Sequence, residues 1–163
     1  MAGWNHDSFS QVFAMFRYVL LISLFLFGGP ANAEDPVFTT EAGAIRGYDP
    51  VAYHVEGRPV RGKPDILFVW QDAEWHFSNT ANRDTFAANP EKYAPRYGGF
   101  CAYGTSRGYK VSTQPEAFAI VGGALYLNYD LDVQKTWNKD RPGYIEQADA
   151  NWVTLKGEAY EPE

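Results

Sequence analysis

Apolar and aromatic positions crowd into two short runs in the first half of the chain. These are ILFVWQ (Ile66 to Gln71) and EWHFS (Glu74 to Ser78), separated by Asp72 and Ala73. β-Branched and aromatic residues in runs this short, bounded by turn formers, predict a β-hairpin. Trp75 and Phe77 flank His76, so strand alternation puts both rings on one face and the imidazole on the other. With the rings in the core, His76 is expected on the solvent side. Ser78 or Asn79 then supplies a helix cap, and the helix runs to about Ala88, where Asn89 and Pro90 stop it.

The same pattern recurs further on. FAIVGGALYLNY (Phe118 to Tyr129) predicts a second hairpin turning at Gly122 and Gly123. Helices are predicted from about Leu131 to Lys139 and from about Tyr144 to Trp152, with RPG interrupting them. Val133 with Trp137, and Ile145 with Ala148 and Trp152, have the spacing of core-facing stripes. GYDPVAYH (Gly47 to His54) reads as an extended segment broken by Pro50, and EGRPVRGKPD as loop. In EKYAPRYGGFCAYGTSRG, Gly98 and Gly99 allow a tight turn just before Cys101 and are expected to leave its sulfur approachable. No internal repeat and no low-complexity linker emerges. The expectation is a small single α+β domain of β-hairpins and short helices, in keeping with a length of 163 residues.

The N-terminus has a different character. YVLLISLFLF (Tyr18 to Phe27) follows Arg17 and precedes GGPANA, where Ala31 and Ala33 form a small-x-small cleavage pattern. A stretch of this length is too short for a bilayer, which takes about 20 apolar residues. Residues 1–33 therefore read as a signal peptide, with Met15 as an alternative start, and the mature chain as an exported, periplasmic or secreted protein from Glu34 with no membrane span. That cut removes both methionines and His6, leaving His54, His76 and Cys101 as the nitrogen and sulfur ligands.

A net charge of −6, scattered and without a basic run, argues against a nucleic-acid surface. Aromatic residues make up 17% of the chain, and in a domain without disulfides they are first of all the core. Cys101 has no internal partner, so it is a free thiol, a ligand, a disulfide bridge to a second chain, or a small buried hydrophobe.

Taken together, GYDPVAY, the hairpin ending in aromatic-x-Phe-Ser, NRDTFAANPEKYAPRYGGFCAYG, LYLNY and the closing ADANW resemble the YHS-domain family in its exported stand-alone branch. The resemblance spans Gly47 to Trp152, so it divides the chain into a leader (1–33), a lead (34–46), the YHS domain (47–152) and a tail (153–163). It implies a treble-clef-like core. In the metal-binding YHS and TRASH-like relatives this core carries DPVCGM and aromatic-x-Phe-Cys-Ser-x-x-Cys, thiolates that a tetrahedral structural site requires. Here those cysteine positions fall on Ala52, Ser78 and Asn82, none a soft ligand. The structural metal is therefore not carried over, and aromatic packing is expected to hold hairpin to helix instead.

Two functional readings follow. In the first, Cys101 with His54 and His76 forms a new copper or zinc site, a donor set that suits either ion. Arg96, Arg107 or Lys110 would be near enough in sequence to lower the thiol pKa. In the second, the module is metal-free and binds a small organic molecule or a protein through tyrosines around Tyr97, Tyr103 and Tyr109, which would have to wall one concave pocket. No carboxylate pair, Ser/His/Asp arrangement or phosphate-cradling loop supports an enzyme mechanism.

Overall fold

The computed structural model describes residues 36–162. The expected signal peptide and its cleavage pattern lie outside these residues. No described helix is long and apolar enough to cross a membrane.

The fold is α+β. Strands β1 (Thr39–Thr40) and β2 (Gly43–Ala44) form a small ribbon. Next come helix α1 (Pro50–Val55), the hairpin β3 (Lys63–Trp70) and β4 (Ala73–Phe77), and helices α2 (Thr80–Ala88) and α3 (Pro90–Tyr93). The second half holds α4 (Ala102–Ser106), the hairpin β5 (Gln114–Val121) and β6 (Ala124–Asn128), α5 (Leu131–Trp137) and α6 (Arg141–Leu155). Asn79 caps α2 as expected, its side chain accepting from the Asn82 amide. The RPG stretch begins α6 rather than interrupting it, because proline is tolerated in a first helical turn. In the segment expected to be extended, GYDPVAYH, the residues from Pro50 to His54 are instead in α1. Asp49 is its N-cap and Pro50 opens the first turn, a combination that outweighs proline's role as a breaker.

The halves repeat one another. In the first hairpin Lys63 pairs with Phe77, then, after an irregularity, Leu67 with His76, Phe68 with Trp75, Val69 with Glu74 and Trp70 with Ala73. In the second, Gln114 pairs with Asn128, then Phe118 with Leu127, Ala119 with Tyr126, Ile120 with Leu125 and Val121 with Ala124. Every position is shifted by about 51 residues, bulge included. Asn79 and Asp130 cap the following helices, and Asn89 and Asp140 the ones after those, at the same shift. The entry turns match too. Ile45, Arg46 and Gly47 have φ of 43°, 61° and 74°, and Tyr97, Gly98 and Gly99 have 55°, 60° and 88°. After each turn a cap residue, Asp49 or Cys101, begins a short helix. The sequence pattern missed this repeat because side-chain identity has almost vanished: among the paired strands only Pro64/Pro115 and Ala73/Ala124 agree.

Each half is built around one fully buried ring at equivalent places. Phe86 packs against Trp75 and Phe77 at 5.3 Å between ring centroids, and against Trp70 at 5.9 Å. Its counterpart Trp137 packs on Tyr126 at 5.5 Å. Burial of rings this large is the main favourable term in a domain without disulfides. The segments flanking the repeat join the core: Val37 and Phe38 are buried, and Tyr160 closes on Phe100 with centroids 5.0 Å apart.

Candidate functional site

The two cap residues, Asp49 and Cys101, occupy equivalent corners where an entry turn, a helix start and the end of a hairpin meet. The corners differ in chemistry.

At the first, the Asp49 carboxylate is wholly buried, and no cation pairs with it among the described residues. Hydrogen bonds take the place of a counterion. Oδ1 accepts from the Val51 and Ala52 amides at 2.9 and 3.2 Å. Oδ2 accepts from the Ser78 amide at 2.9 Å, from Ser78 Oγ at 2.7 Å and from Asn82 Nδ2 at 2.7 Å. A buried carboxylate is tolerable only when its lone pairs are met in this way. The positions expected to have lost thiolates, Ala52, Ser78 and Asn82, thus all donate to one carboxylate. Aromatic packing around Phe86 does join hairpin to helix, as expected, but a polar clasp joins them as well. Sequence reasoning missed Asp49, although an Asp directly before a Pro at a helix start is a cap signal.

At the second corner Cys101 Sγ holds the place of that carboxylate. It accepts from the Gly104 amide at 3.4 Å and the Tyr129 amide at 3.3 Å, and its own hydrogen points to Asn128 Oδ1 at 3.9 Å. Tyr129 is the counterpart of Ser78, so the same backbone bond closes both corners. Cys101 is 1% exposed, which corrects the expectation of an approachable thiol. Burial pushes its pKa up, Asp130 adds to the rise, and the amides of Gly104, Tyr129 and Tyr103 offset only part of it. Arg96, Arg107 and Lys110 do not lower it. Arg96 instead lies 3.6 Å from Asp149, and the Lys110 ammonium stands 5.1 Å from the centre of the Phe100 ring. The thiol is a neutral group, and its burial leaves no sulfur surface for a bridge to a second chain.

His54 and His76 do not join Cys101. His54, in α1, sets its ring edge-on to Tyr93 at 5.3 Å and hydrogen-bonds that residue's backbone, while burial lowers its pKa. His76 is 8% exposed and not on the solvent side. The alternation reading failed because both faces of β4 are covered: a Cβ on Gly43 would lie 3.3 Å from His76 Nε2, and one on Gly62 would strike its main chain at 2.5 Å. Nε2 comes no closer than 3.8 Å to Glu74 and has no hydrogen-bond partner. Among the described residues no three His, Cys, Asp or Glu side chains gather into a group able to hold a metal.

Two of the three expected tyrosines come together. A cavity of about 330 Å³ opens over the Cys101 corner, lined by Tyr103, Gly104, Tyr109, Val111, Tyr129 and Val133. Tyr97 is elsewhere. It is buried, its hydroxyl donates to Asp149 Oδ1 at 2.9 Å, and it faces a separate cavity of about 370 Å³ shared with Trp70 and Trp152. Tyr129 and Val133 carried no sequence signal as site residues, since each reads as part of a hairpin end or a helix stripe.

No family model, no curated protein and no solved structure matches the chain.

Proposed function

We propose that the protein is an exported, YHS-like binding module that works without a metal and holds a small organic molecule in the tyrosine-lined cavity over Cys101. The observation that carries the reading is that cavity: about 330 Å³, walled by three tyrosines and two valines, with Cys101 and Gly104 completing its lining. A mostly apolar concavity with few polar groups is the usual form of a small-molecule site. The YHS resemblance is supported by the meeting of Ala52, Ser78 and Asn82 at one carboxylate, since a metal-binding relative would bring its thiolates together at those positions. The copper or zinc reading has less support, because among the described residues His54, His76 and Cys101 do not gather into a group able to hold a metal.

The test is a titration with indole, a flat molecule with a largely apolar body, followed through the ring signals of Tyr103, Tyr109 and Tyr129 by NMR. Saturable shifts confined to those rings, lost when Val133→Trp fills the cavity, are expected. Absence of such shifts at millimolar indole would overturn the reading.

A further inference from the structure

A further cavity, of about 380 Å³, lies where β1 meets the C-terminal segment, and Phe38, Thr39, Arg46, Ser112, Tyr129 and Tyr160 are among its lining residues. In a chain of net charge −6 this lining holds one cation, Arg46, and no acid. Arg46 is half-buried and held in place: its Nε donates to the Thr113 carbonyl oxygen at 2.7 Å, and its guanidinium stands over the Phe38 ring, 5.5 Å from the centroid. A guanidinium carries five N–H donors, and that bond meets one of them. Among the described residues Arg46 pairs with no carboxylate, whereas Arg58, Arg83 and Arg96 pair with Glu56, Asp84 and Asp149. The hydroxyls of Thr39 and Ser112 are likewise without a hydrogen-bond partner among the described residues. The backbone adds an independent observation. Arg46 lies in the left-handed region at φ 61°, and at the matching place of the second entry turn stands Gly98, at φ 60°. Glycine takes this conformation freely, so a long side chain is kept in the first turn at a cost in backbone energy, of the kind that collects where a ligand is held.

We infer that this cavity is a second binding site, for a small monocarboxylate with an apolar body: the carboxylate sits on the Arg46 guanidinium and the body against Phe38, Tyr129 and Tyr160. The planar fork of an arginine matches the two oxygens of a carboxylate, and such charge-assisted bonds are the strong ones. Thr39 and Ser112 supply hydroxyl donors in the same lining, and the aromatic walls reward apolar area. An organic cation is disfavoured, because nothing acidic lines the cavity; Glu161, in the same C-terminal segment, is exposed and outside the lining. A phosphate monoester would bring close to two negative charges to a single guanidinium, so a monoanion is the better match.

The site stands or falls apart from the cavity over Cys101, with which it shares only Val111 and Tyr129. The protein is titrated with hydrocinnamate and, in parallel, with hydrocinnamamide, a neutral molecule of nearly the same shape. NMR follows the ring signals of Tyr160 and the amide signals of Thr39 and Ser112, because these three residues line this cavity and not the other. Saturable shifts there are expected, with the acid bound at least about tenfold more tightly than the amide, the range of a hydrogen bond to a charged group. In folded Arg46→Gln, checked by its amide spectrum, that preference is expected to vanish. Equal binding of acid and amide to the unaltered protein, or no shifts at millimolar acid, would overturn the inference. Shifts confined to the rings of Tyr103 and Tyr109 would also overturn it, since they put the acid over Cys101, and so would a preference that persists in folded Arg46→Gln. Should Arg46→Gln not fold, Ser112→Asp keeps the arginine and sets a competing carboxylate in the lining. That variant is expected to weaken the acid at least about fivefold more than the amide, and equal effects on the two would refute the assignment.

Discussion

Replacing Asp49 by alanine tests the polar clasp at the first corner. The carboxylate is fully buried and accepts five hydrogen bonds, two in capping α1 and three in joining it to the Ser78 and Asn82 side of the first hairpin. Loss of the cap costs about 1 kcal/mol. The Ser78 amide is then left without its acceptor, at about 1–3 kcal/mol for a buried donor. Asn82 is cushioned, because its amide also reaches Ser78 Oγ at 3.3 Å, so it belongs at the low end of that range. The total is about 3–5 kcal/mol, comparable to removing one partner from other buried charged networks. Asp49→Asn keeps an oxygen for the cap but turns an amide group toward the donors of Ser78 and Asn82, and so recovers only about 1 kcal/mol of the loss. At the equivalent corner Cys101→Ala is expected to cost less than Asp49→Ala, about 1–2 kcal/mol, since a thiol accepts weakly and few atoms are removed. Urea denaturation followed by tryptophan fluorescence gives these differences if the slopes agree among variants. An Asp49→Ala protein within about 1 kcal/mol of the parent would refute the reasoning, because a loss that small is accounted for by the cap alone and leaves nothing for the stranded Ser78 donors.

Other outcomes follow from the same geometry. Phe86→Ala and Trp137→Ala should each lower stability by about 3–5 kcal/mol, as expected for fully buried rings, and a loss under about 1 kcal/mol at either would deny it a central place in its half. Gly98→Ala should be destabilising by more than about 2 kcal/mol in the same assay, since φ is +60° and the new Cβ would lie 1.8 Å from the Pro36 carbonyl oxygen, a backbone atom that cannot swing aside. Burial lowers the His54 pKa in the fold, so the unfolded chain protonates first as pH falls; stability is complete above the ordinary value of about 6.5 and declines as pH drops through it toward the folded value. The ring is only half-buried, so solvent screens the effect, and His54→Phe should remove that component of a pH–stability profile. Alkylation of Cys101 by iodoacetamide at neutral pH should run at least about 100-fold more slowly in the native protein than in urea, because the thiol is both covered and held protonated; equal rates would refute its burial.

How much of this was legible before the structure depends on the kind of signal each residue sends. The hairpins were plain from Ile66 to Ser78 and from Phe118 to Tyr129, because aromatic and β-branched runs with a two-residue turn are local features. Helix α2 was plain from its Asn79 cap and Asn89–Pro90 stop. Helix α1 was not, since Pro50 weighs as a breaker unless Asp49 is recognised as its cap. His76 was misplaced because alternation describes a strand with one wet face, and the wet face here is covered by the Gly43 ribbon and the Gly62 loop, both distant from it in sequence. The burial of Cys101 was hidden for a similar reason. Its neighbours Gly98 and Gly99 suggest openness, yet those glycines let the chain fold tightly, with the Gly98 carbonyl oxygen accepting from the Phe38 amide. The repeat left almost no trace in side-chain identity. It survives in register, caps and left-handed turns, which are backbone properties that many side chains can satisfy.

The most direct test of the account is a crystal structure of the reduced protein soaked with indole. The ring is expected in the cavity over Cys101, with its faces against Tyr103, Tyr109 and Tyr129. An empty cavity with the ring bound elsewhere, or a metal ion on Sγ retained from a zinc- or copper-supplemented preparation, would contradict it.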